Sequence, residues 1–305
     1  MAANVALSTI ASIFLLLLLG YALRKLGVVH AKDAGVVNSI VINLALPAFI
    51  FVSAHGKPLD ASMVKAPAVG FVMQFVVLGA AYLVARALKL DRPTTAGFMI
   101  TSAFGNTGYL GIPVITAAFD GDKRAVLTAI MMDSFAMRLG ICTVGIAIAS
   151  SFAGSRFDWK APLDFLKTPL FPAVVLGLAL RDAHIPRVIM NSLTYLANAT
   201  IPMSMIAVGL SLSATSVKQY PKAYAAGIIL KMALLPALTF VGLRLIGVQG
   251  TVSQVAVAEM AMPSAVFSGV IAARFGANGP YAAGAIFLMT LASALTIPAV
   301  LILVQ

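Results

Sequence analysis

The chain contains few of the residue types on which soluble and secreted proteins depend. Only 10% of its 305 residues are charged, whereas an average soluble domain has about 25%, and 61% are hydrophobic. The single cysteine, Cys142, excludes an internal disulfide and a cysteine-based metal site, and its apolar neighbours predict inert packing. This composition excludes a soluble enzyme, a disordered tail and a disulfide-framed secreted domain, and it predicts an integral membrane protein.

Acidic residues are also scarce, since 10 of them face 21 lysines and arginines, for a net charge of +11. In a soluble protein this excess would indicate nucleic-acid binding, but no basic run with interleaved aromatics occurs, so no nucleic-acid partner is expected. The apolar runs of the sequence predict ten spans joined by nine loops. The odd-numbered loops hold twelve basic residues and the even-numbered loops seven. The positive-inside rule then predicts cytoplasmic odd loops and places both termini outside.

Apolar runs of about 20 residues predict ten membrane-spanning helices, because a helix of that length crosses the hydrocarbon core of a bilayer. The predicted spans are 5–24, 34–54, 64–88, 94–118, 124–150, 165–181, 187–212, 221–244, 252–274 and 281–304. We therefore predict an all-α integral membrane protein with a first half at 1–150, a central cytoplasmic loop at 151–164 and a second half at 165–305.

The two halves resemble each other at an offset of 155 residues. Asn43–Pro47 falls on Asn198–Pro202, and Lys32 falls on Arg187. Each half has five predicted helices, an odd number, so the two halves must be inserted in opposite orientations. Inverted repeats are an architecture of secondary transporters, whose sites lie near mid-membrane where broken helices of the two repeats meet.

The fourth and ninth predicted spans contain residues that interrupt helices. In the fourth span these are Gly105, Gly108, Gly111 and Pro113. The ninth has Pro263 near its centre and Glu259 one turn earlier, and Pro263 falls on Gly108 at the offset of 155. A break frees backbone N–H groups at a positive half-helix end, where an anion can bind, or carbonyls that can hold a cation. The alternative is that these residues merely kink packed helices.

These motifs, together with the ten-helix layout, resemble the auxin efflux carrier family over nearly the whole chain. The residues that carry the resemblance are Asn106-Thr107, Gly111-Ile112-Pro113, Ala261-Met262-Pro263 and Ile297-Pro298. The short central loop resembles the bacterial members, a branch described as carriers of malonate and similar acids. The family belongs to a wider superfamily that includes the bile acid–sodium symporters.

The resemblance implies that the fourth and ninth helices cross at their breaks and that an organic anion crosses the inner membrane by elevator-like alternating access. It places Asn106 at the substrate site. Gly105 stands where plant carriers have a proline, and Glu259 where they have a glutamine. Because a ninth-helix glutamate helps to bind sodium in the bile-acid relatives, symport with either Na⁺ or H⁺ remains open. The resemblance also makes a homodimer an expectation.

Four ionisable residues lie inside predicted spans: Asp133, Arg138, Lys231 and Glu259. Each costs roughly 2.5–3.5 kcal/mol at a helix centre, so each is a functional candidate. Asp133 and Arg138 are five residues apart, about 140° around an α-helix, and are expected to share a cavity without forming an ideal pair. Arg138 either grips a substrate carboxylate through two hydrogen bonds or forms a structural ion pair with Asp133 or Glu259. Lys231 neutralises Glu259, snorkels or lines the cavity.

The predicted site draws on both breaks and on the fifth span. Its substrate-binding residues are Asn106, Thr107, Gly108, Tyr109, Arg138, Pro263 and Ser264, with Ser268 as a further lining residue. Asp133 and Glu259 are candidates for the coupling proton or ion. Asn43 and Asn198, each four residues before a proline, either cap helix distortions or line the cavity. No metal or organic cofactor is expected.

The leading hypothesis is a secondary active transporter of a small organic anion such as malonate. The alternatives are an anion channel and an intramembrane enzyme that uses Asp133 and Glu259 as paired carboxylates. No nucleophile motif, metal-ligand set or phosphate loop in the sequence favours an enzyme.

Overall fold

The computed structural model describes residues 2–30, 33–56, 59–153, 169–212 and 217–304. Within these ranges the chain forms helices and no strand. In chain order, α1 to α12 are Ala2–Lys25, Ala34–Ala54, Ala61–Ala87, Arg92–Ala103, Thr107–Ala118, Lys123–Phe152, Leu170–Ala179, Arg187–Ser211, Pro221–Leu245, Thr251–Met260, Val266–Arg274 and Gly279–Val304. The all-α prediction is confirmed for these ranges, whereas most of the predicted central loop, 154–164, lies outside them.

Among the residues that the structure describes, six helices are long and apolar enough to cross a membrane: α2, α3, α6, α8, α9 and α12. Helices α5 and α7 are apolar but shorter. The predicted spans 94–118 and 252–274 are each divided in two, and we call α4 with α5 the first broken helix and α10 with α11 the second broken helix. That all ten spans cross the membrane, in two inverted halves, stays a prediction.

Aspartates precede three of the helices in the first half of the chain. Asp60, Asp91 and Asp122 precede α3, α4 and α6, and each accepts a hydrogen bond from the backbone N–H three residues further on. Such a cap satisfies an orphan donor and places a negative charge at the positive end of the helix. These starts keep the polar ends of the helices in register in an otherwise apolar chain.

The helices pack in two groups. In the four-helix group, α1 packs on α8, and α2 packs on both α7 and α8. Gly20 and Gly209 allow the backbones of α1 and α8 to approach closely. The crossing group comprises α3 to α6 and α9 to α12, which hold both broken helices. The two groups touch where α1 meets α5 and α12 and where α2 meets α6.

Several helices contain wider π-helical segments: Val41–Ala45, Thr107–Gly111, Met132–Arg138, Ile141–Gly145 and Leu230–Leu234. Pro47, Pro113 and Pro236 each follow one of them by two residues, and proline disrupts the ordinary hydrogen bonding of the preceding turn. The two segments in α6 have no such proline. Because π segments occur often at functional sites, a functional role explains the two π segments of α6 better than a nearby proline does.

Candidate functional site

The two broken helices meet at their breaks. The Asn106 N–H donates to the Pro263 carbonyl over 2.7 Å, and the Ala265 N–H donates to the Phe104 carbonyl over 3.0 Å. Between these two bonds, Gly105 and Ser264 form an antiparallel bridge. Backbone groups freed from a helix inside a membrane protein must find partners in the protein or in water. Here each break supplies partners for the other, which joins the two broken helices at one point.

The first break lies earlier in the chain than the sequence predicted. Gly105 lies within it, but Gly111 and Pro113, also predicted as break residues, lie inside α5. Pro113 is tolerated there because it occupies one of the first two positions of the α-helical part that follows the π segment. The break is therefore held open by pairing with the second broken helix, and not by the proline.

The two broken helices are also offset by a different number of residues than the sequence suggested. Helices α4 and α10 begin at Arg92 and Thr251, which are 159 residues apart, and α5 and α11 begin at the same spacing. The sequence comparison that placed Pro263 on Gly108 is therefore shifted by four residues. Helices α2 and α8 begin only 153 residues apart, so connections of unequal length change the offset along the chain.

A cavity of about 380 Å³ lies beside this crossing, between the two groups of helices. From the four-helix group, α2 contributes Gly35, Asn38 and Ile42 to its wall. From the crossing group the wall includes Gly105, Asn106, Gly108, Tyr109, Asp133, Met137, Arg138, Ile141, Cys142, Ala265, Val266, Phe267 and Val270. This volume lies within the range of about 300–1,000 Å³ that is usual for small-molecule sites.

Two half-helix N-termini border the cavity. Gly108 and Tyr109 belong to the first turn of α5, and Val266 and Phe267 to the first turn of α11. Neither helix has a side-chain cap at its start. Uncapped first turns present backbone N–H groups and the positive end of a helix dipole. The cavity therefore combines an apolar wall with two ends that favour a negative charge.

Asp133 and Arg138 form a direct ion pair in the cavity wall. Arg138 Nη2 donates to Asp133 Oδ2 over 2.5 Å, and Thr107 Oγ1 donates to Asp133 Oδ1 over 2.7 Å. The expectation of a shared cavity without an ideal pair assumed the spacing of an α-helix, but the two residues lie in the π segment Met132–Arg138 and form the ion pair that was the alternative role of Arg138. The i to i+5 bonding of a π-helix brings residues five apart onto one side. The pair is therefore a consequence of the local winding.

The guanidinium keeps donors for a further ligand. Arg138 Nε is buried and has no hydrogen-bond partner in the part of the chain that the structure describes. Gly108 leaves the space that the ion pair occupies, because a Cβ at this position would lie 2.9 Å from Asp133 Oδ1 and 3.0 Å from Arg138 Nη2. The start of α5 and the ion pair thus lie in immediate contact.

Asn106 presents a second unpaired donor. Its backbone is held in the crossing, its side chain is 3% exposed, and its Nδ2 has no hydrogen-bond partner among the residues described. Because a buried amide without a partner is costly, a ligand or water in the cavity is its natural complement. The structure thus places Asn106, Arg138 and Asp133 around one space.

Lys231 lies behind the crossing and not in the cavity wall. It is 0% exposed, so it does not snorkel, and its Nζ donates to the Met260 carbonyl over 2.7 Å. Met260 is the last residue of α10, whose final carbonyls have no partner within the helix. A cation is well placed at this negative helix end, so Lys231 caps the first half of the second broken helix.

Glu259 is also enclosed behind the crossing. It is 0% exposed and is not part of the cavity wall. Its carboxylate lies against Gly111, where any Cβ would collide with it. Neither carboxylate oxygen has a hydrogen-bond partner among the described residues. A charged carboxylate in such a place needs a cation or a proton to be stable.

Two predicted lining residues lie elsewhere. Asn43 and Asn198 are exposed and are not part of the cavity wall, and Asn43 Nδ2 donates to the Ser39 carbonyl of its own helix. Asn38, five residues before Asn43 in the same helix, lines the cavity instead. The only sequence signal for Asn38 was a polar residue in the predicted span 34–54.

Other predicted residues support the wall without forming it. Thr107 orients Asp133, and Pro263 accepts the bond from Asn106. Ser264 and Ser268 are fully buried, and their hydroxyls have no hydrogen-bond partner within the described ranges. Cys142, predicted to be inert packing, lines the cavity.

Comparison with known proteins places the chain in a family. Its sequence matches the family described as membrane transport protein over residues 5–155 and 156–301. It is 30% identical, over 93% of this chain and 94% of the relative, to a protein of Methanocaldococcus jannaschii named an "Uncharacterized transporter". It is 27% identical, over 96% of this chain and 93% of the relative, to a protein of Rhizobium meliloti named "Putative malonate transporter". The apolar helices and these matches show that the chain is a multi-pass membrane protein that belongs to the membrane transport protein family, the auxin efflux carrier family that its motifs resemble.

Proposed function

We propose that this protein is a secondary active transporter of a small carboxylate, with the cavity beside the crossing as its substrate site. The observation that carries the proposal is the convergence of two uncapped half-helix N-termini with the free donors of Arg138 and Asn106 on one cavity. Helix N-termini and a forked guanidinium both suit a carboxylate. The apolar remainder of the wall surrounds the carbon skeleton of the substrate.

The charge balance of the site favours symport. Each half-helix end contributes roughly half a positive charge, and Arg138 is offset by Asp133, so the site supplies about one positive charge in all. A dianion such as malonate then retains one negative charge. An accompanying H⁺ or Na⁺ neutralises it, and Asp133 and Glu259 are the carboxyl groups that carry this cation. The name of the Rhizobium meliloti relative supports malonate as the first substrate to test.

The position of the cavity between the two groups of helices supports alternating access. In this proposal the crossing group moves as an elevator against the four-helix group, so that the same cavity opens to each side in turn. The ten spans form two inverted halves in the bacterial inner membrane, with both termini outside, and the protein is a homodimer. The paired halves of the broken helices support the inverted arrangement.

Reconstituted protein distinguishes the candidate functions. Proteoliposomes preloaded with unlabelled malonate are expected to accumulate labelled malonate by counterflow, and Arg138→Lys, which removes the fork but keeps the charge, abolishes this. Arg274→Lys is the matched control, because Arg274 is a basic residue outside the cavity wall. Uptake without counterflow would indicate a channel, and chemical change of malonate would indicate an enzyme. Absence of counterflow with any small carboxylate would reject the proposal.

The coupling ion is tested in the same vesicles. A pH gradient and a Na⁺ gradient are imposed in separate experiments. The gradient that drives malonate accumulation above its concentration outside the vesicles identifies the coupling ion. Glu259→Gln, which keeps the shape of the side chain, is expected to preserve counterflow and to abolish accumulation. If accumulation persists in Glu259→Gln and is lost in Asp133→Asn, Asp133 carries the ion instead.

A further inference from the structure

A second cavity, of about 220 Å³, lies where α9, α10 and α12 come together, and it shares no lining residue with the first. Its wall contains Phe240 and Arg244 of α9, Gln249, and Gly250, Ser253 and Gln254 at the start of α10, with the last residue of α12. None of these residues lines the first cavity, and none of the described residues in the wall is acidic.

The start of α10 faces this cavity without a cap. Gly250 is the residue that precedes the helix, at a φ of +67°, and no side chain caps the helix start. A serine, threonine or aspartate at this position would ordinarily satisfy a first-turn N–H group. Because glycine has no side chain, the free N–H groups and the positive end of a ten-residue helix stay open to a ligand.

Two side chains in the wall also have hydrogen-bond donors that no described residue uses. Ser253 is only 6% exposed, and its hydroxyl has no hydrogen-bond partner within the described ranges. The Arg244 guanidinium lies 5.1 Å from the centre of the Phe240 ring, and in the same ranges no carboxylate pairs with it. The hydroxyl of a buried serine, the guanidinium of an exposed arginine and an open helix N-terminus on one cavity together suit an anion.

We propose that this second cavity binds a phosphate group. Arg244 lies in the last turn of α9, and α12 ends beside it, so the cavity lies at the end of two helices that are long and apolar enough to span the membrane. Phospholipid headgroups occupy this level of a bilayer. The phosphate belongs either to an anionic phospholipid or to a free phosphate ion, and both need the same donors.

Helix α10 connects the second cavity to the crossing. Helix α10 runs from the cavity at Gly250 to Met260, whose carbonyl Lys231 binds, over a length of about 15 Å. A phosphate at one end of α10 therefore fixes the position of the half-helix whose other end forms part of the crossing.

The test uses the purified full-length protein in nanodiscs of phosphatidylglycerol or of phosphatidylcholine, and in detergent with and without inorganic phosphate. We expect phosphatidylglycerol to raise the melting temperature of the wild type above its value in phosphatidylcholine, and Arg244→Gln to remove this difference. Retention of phosphatidylglycerol through purification, measured by native mass spectrometry, is expected to fall about fivefold in Arg244→Gln. Ser253→Ala, which removes only the hydroxyl, is expected to have a smaller effect in the same direction.

Arg274→Gln is the matched control, because Arg274 also lies over a phenylalanine ring in the last turn of a helix but is not part of this cavity. An equal loss in Arg274→Gln would show general attraction of a basic surface for anionic lipid and would overturn the proposal. An unchanged Arg244→Gln would overturn it as well. Stabilisation by inorganic phosphate in detergent would support a free ion, and stabilisation by phosphatidylglycerol alone a lipid headgroup. The melting temperature of each variant in phosphatidylcholine shows that it is folded.

Discussion

Two sets of buried charges lie near the crossing and have different surroundings. Asp133 and Arg138 line the cavity, bind each other and leave Arg138 Nε free. Lys231 and Glu259 are fully enclosed, and Lys231 Nζ donates a hydrogen bond to the Met260 carbonyl. The first pair can exchange its partner for a ligand from the cavity, whereas the second set does not border that cavity.

From the sequence, all four charges were equal candidates for a functional role, and the structure separates those that line the cavity from those that are enclosed. A charge inside a membrane protein is a functional candidate wherever it lies, but access to a cavity determines which function it can serve. We therefore expect changes at Asp133 and Arg138 to act on substrate binding, and changes at Lys231 to act first on stability.

The largest effect is expected from separating the cavity ion pair. Arg138→Gln alone leaves Asp133 buried without its cation and should cost about 3–5 kcal/mol of stability. The double variant Asp133→Asn/Arg138→Gln removes both charges, so we expect its melting temperature to recover while malonate affinity stays at least about 100-fold weaker. Thermal unfolding and equilibrium binding measure the two quantities. Wild-type affinity in the double variant would contradict a binding role for the pair.

The next effect concerns the enclosed lysine. Lys231→Met keeps the length of the side chain but leaves the Met260 carbonyl without its charged donor, a loss of about 1.5–3 kcal/mol. We expect a lower melting temperature, and malonate affinity within about threefold of the wild type in the folded fraction. Lys222→Met on the same helix, where the side chain is exposed, should change neither. A stable Lys231→Met that no longer binds malonate would place Lys231 in the substrate site after all.

Glycine substitutions sharpen the comparison without changing charge. Gly111→Ala would force a Cβ onto Glu259, and Gly108→Ala would force one onto the Asp133–Arg138 pair. Overpacking of this kind costs about 1–3 kcal/mol, so we expect Gly111→Ala to lower the melting temperature and Gly108→Ala to weaken malonate binding as well.

Gly79→Ala is the control for both, because open space surrounds this position in α3 and alanine is the better helix former. Its melting temperature should equal or exceed that of the wild type. Equal effects of Gly108→Ala and Gly111→Ala on binding would remove the distinction between the cavity and the enclosed charges.

The smallest effect is expected from single neutral donors. Asn106→Ala removes one amide that has no protein partner, so we expect malonate affinity to fall about tenfold with little change in stability. Asn43→Ala, a change of the same kind at an exposed site, should bind malonate as the wild type does. If both variants bind alike, the Asn106 amide does not contact the substrate.

The helices were largely predictable, because long apolar runs have few stable alternatives in a membrane. The helix pairs α4 with α5 and α10 with α11 match the predicted spans 94–118 and 252–274 to within two residues, and the breaks lie near the predicted glycine and proline residues. The exact positions of the breaks were not predictable, because Gly111 and Pro113 fit inside a helix once Thr107–Gly111 widens into a π segment.

The site was predicted in part. Asn106, Arg138 and Asp133 follow from rare polar and charged residues in apolar spans, where each must have a reason to be present. Asn38 and Cys142 did not follow, because a neutral side chain in an apolar span does not carry the cost of a charge. Their place in the cavity wall depends on the packing of α2 against α6.

The sequence alone determined that this chain enters a membrane as a bundle of helices, that two of them are interrupted, and that four charges lie among them, because composition and spacing act locally. Only the tertiary structure decided which backbone groups join the two breaks and that Asp133 and Arg138 pair through a π-helical turn. It also decided that Lys231 and Glu259 are enclosed. These outcomes depend on contacts between residues more than 100 positions apart and on a change of helical winding, which no local pattern specifies.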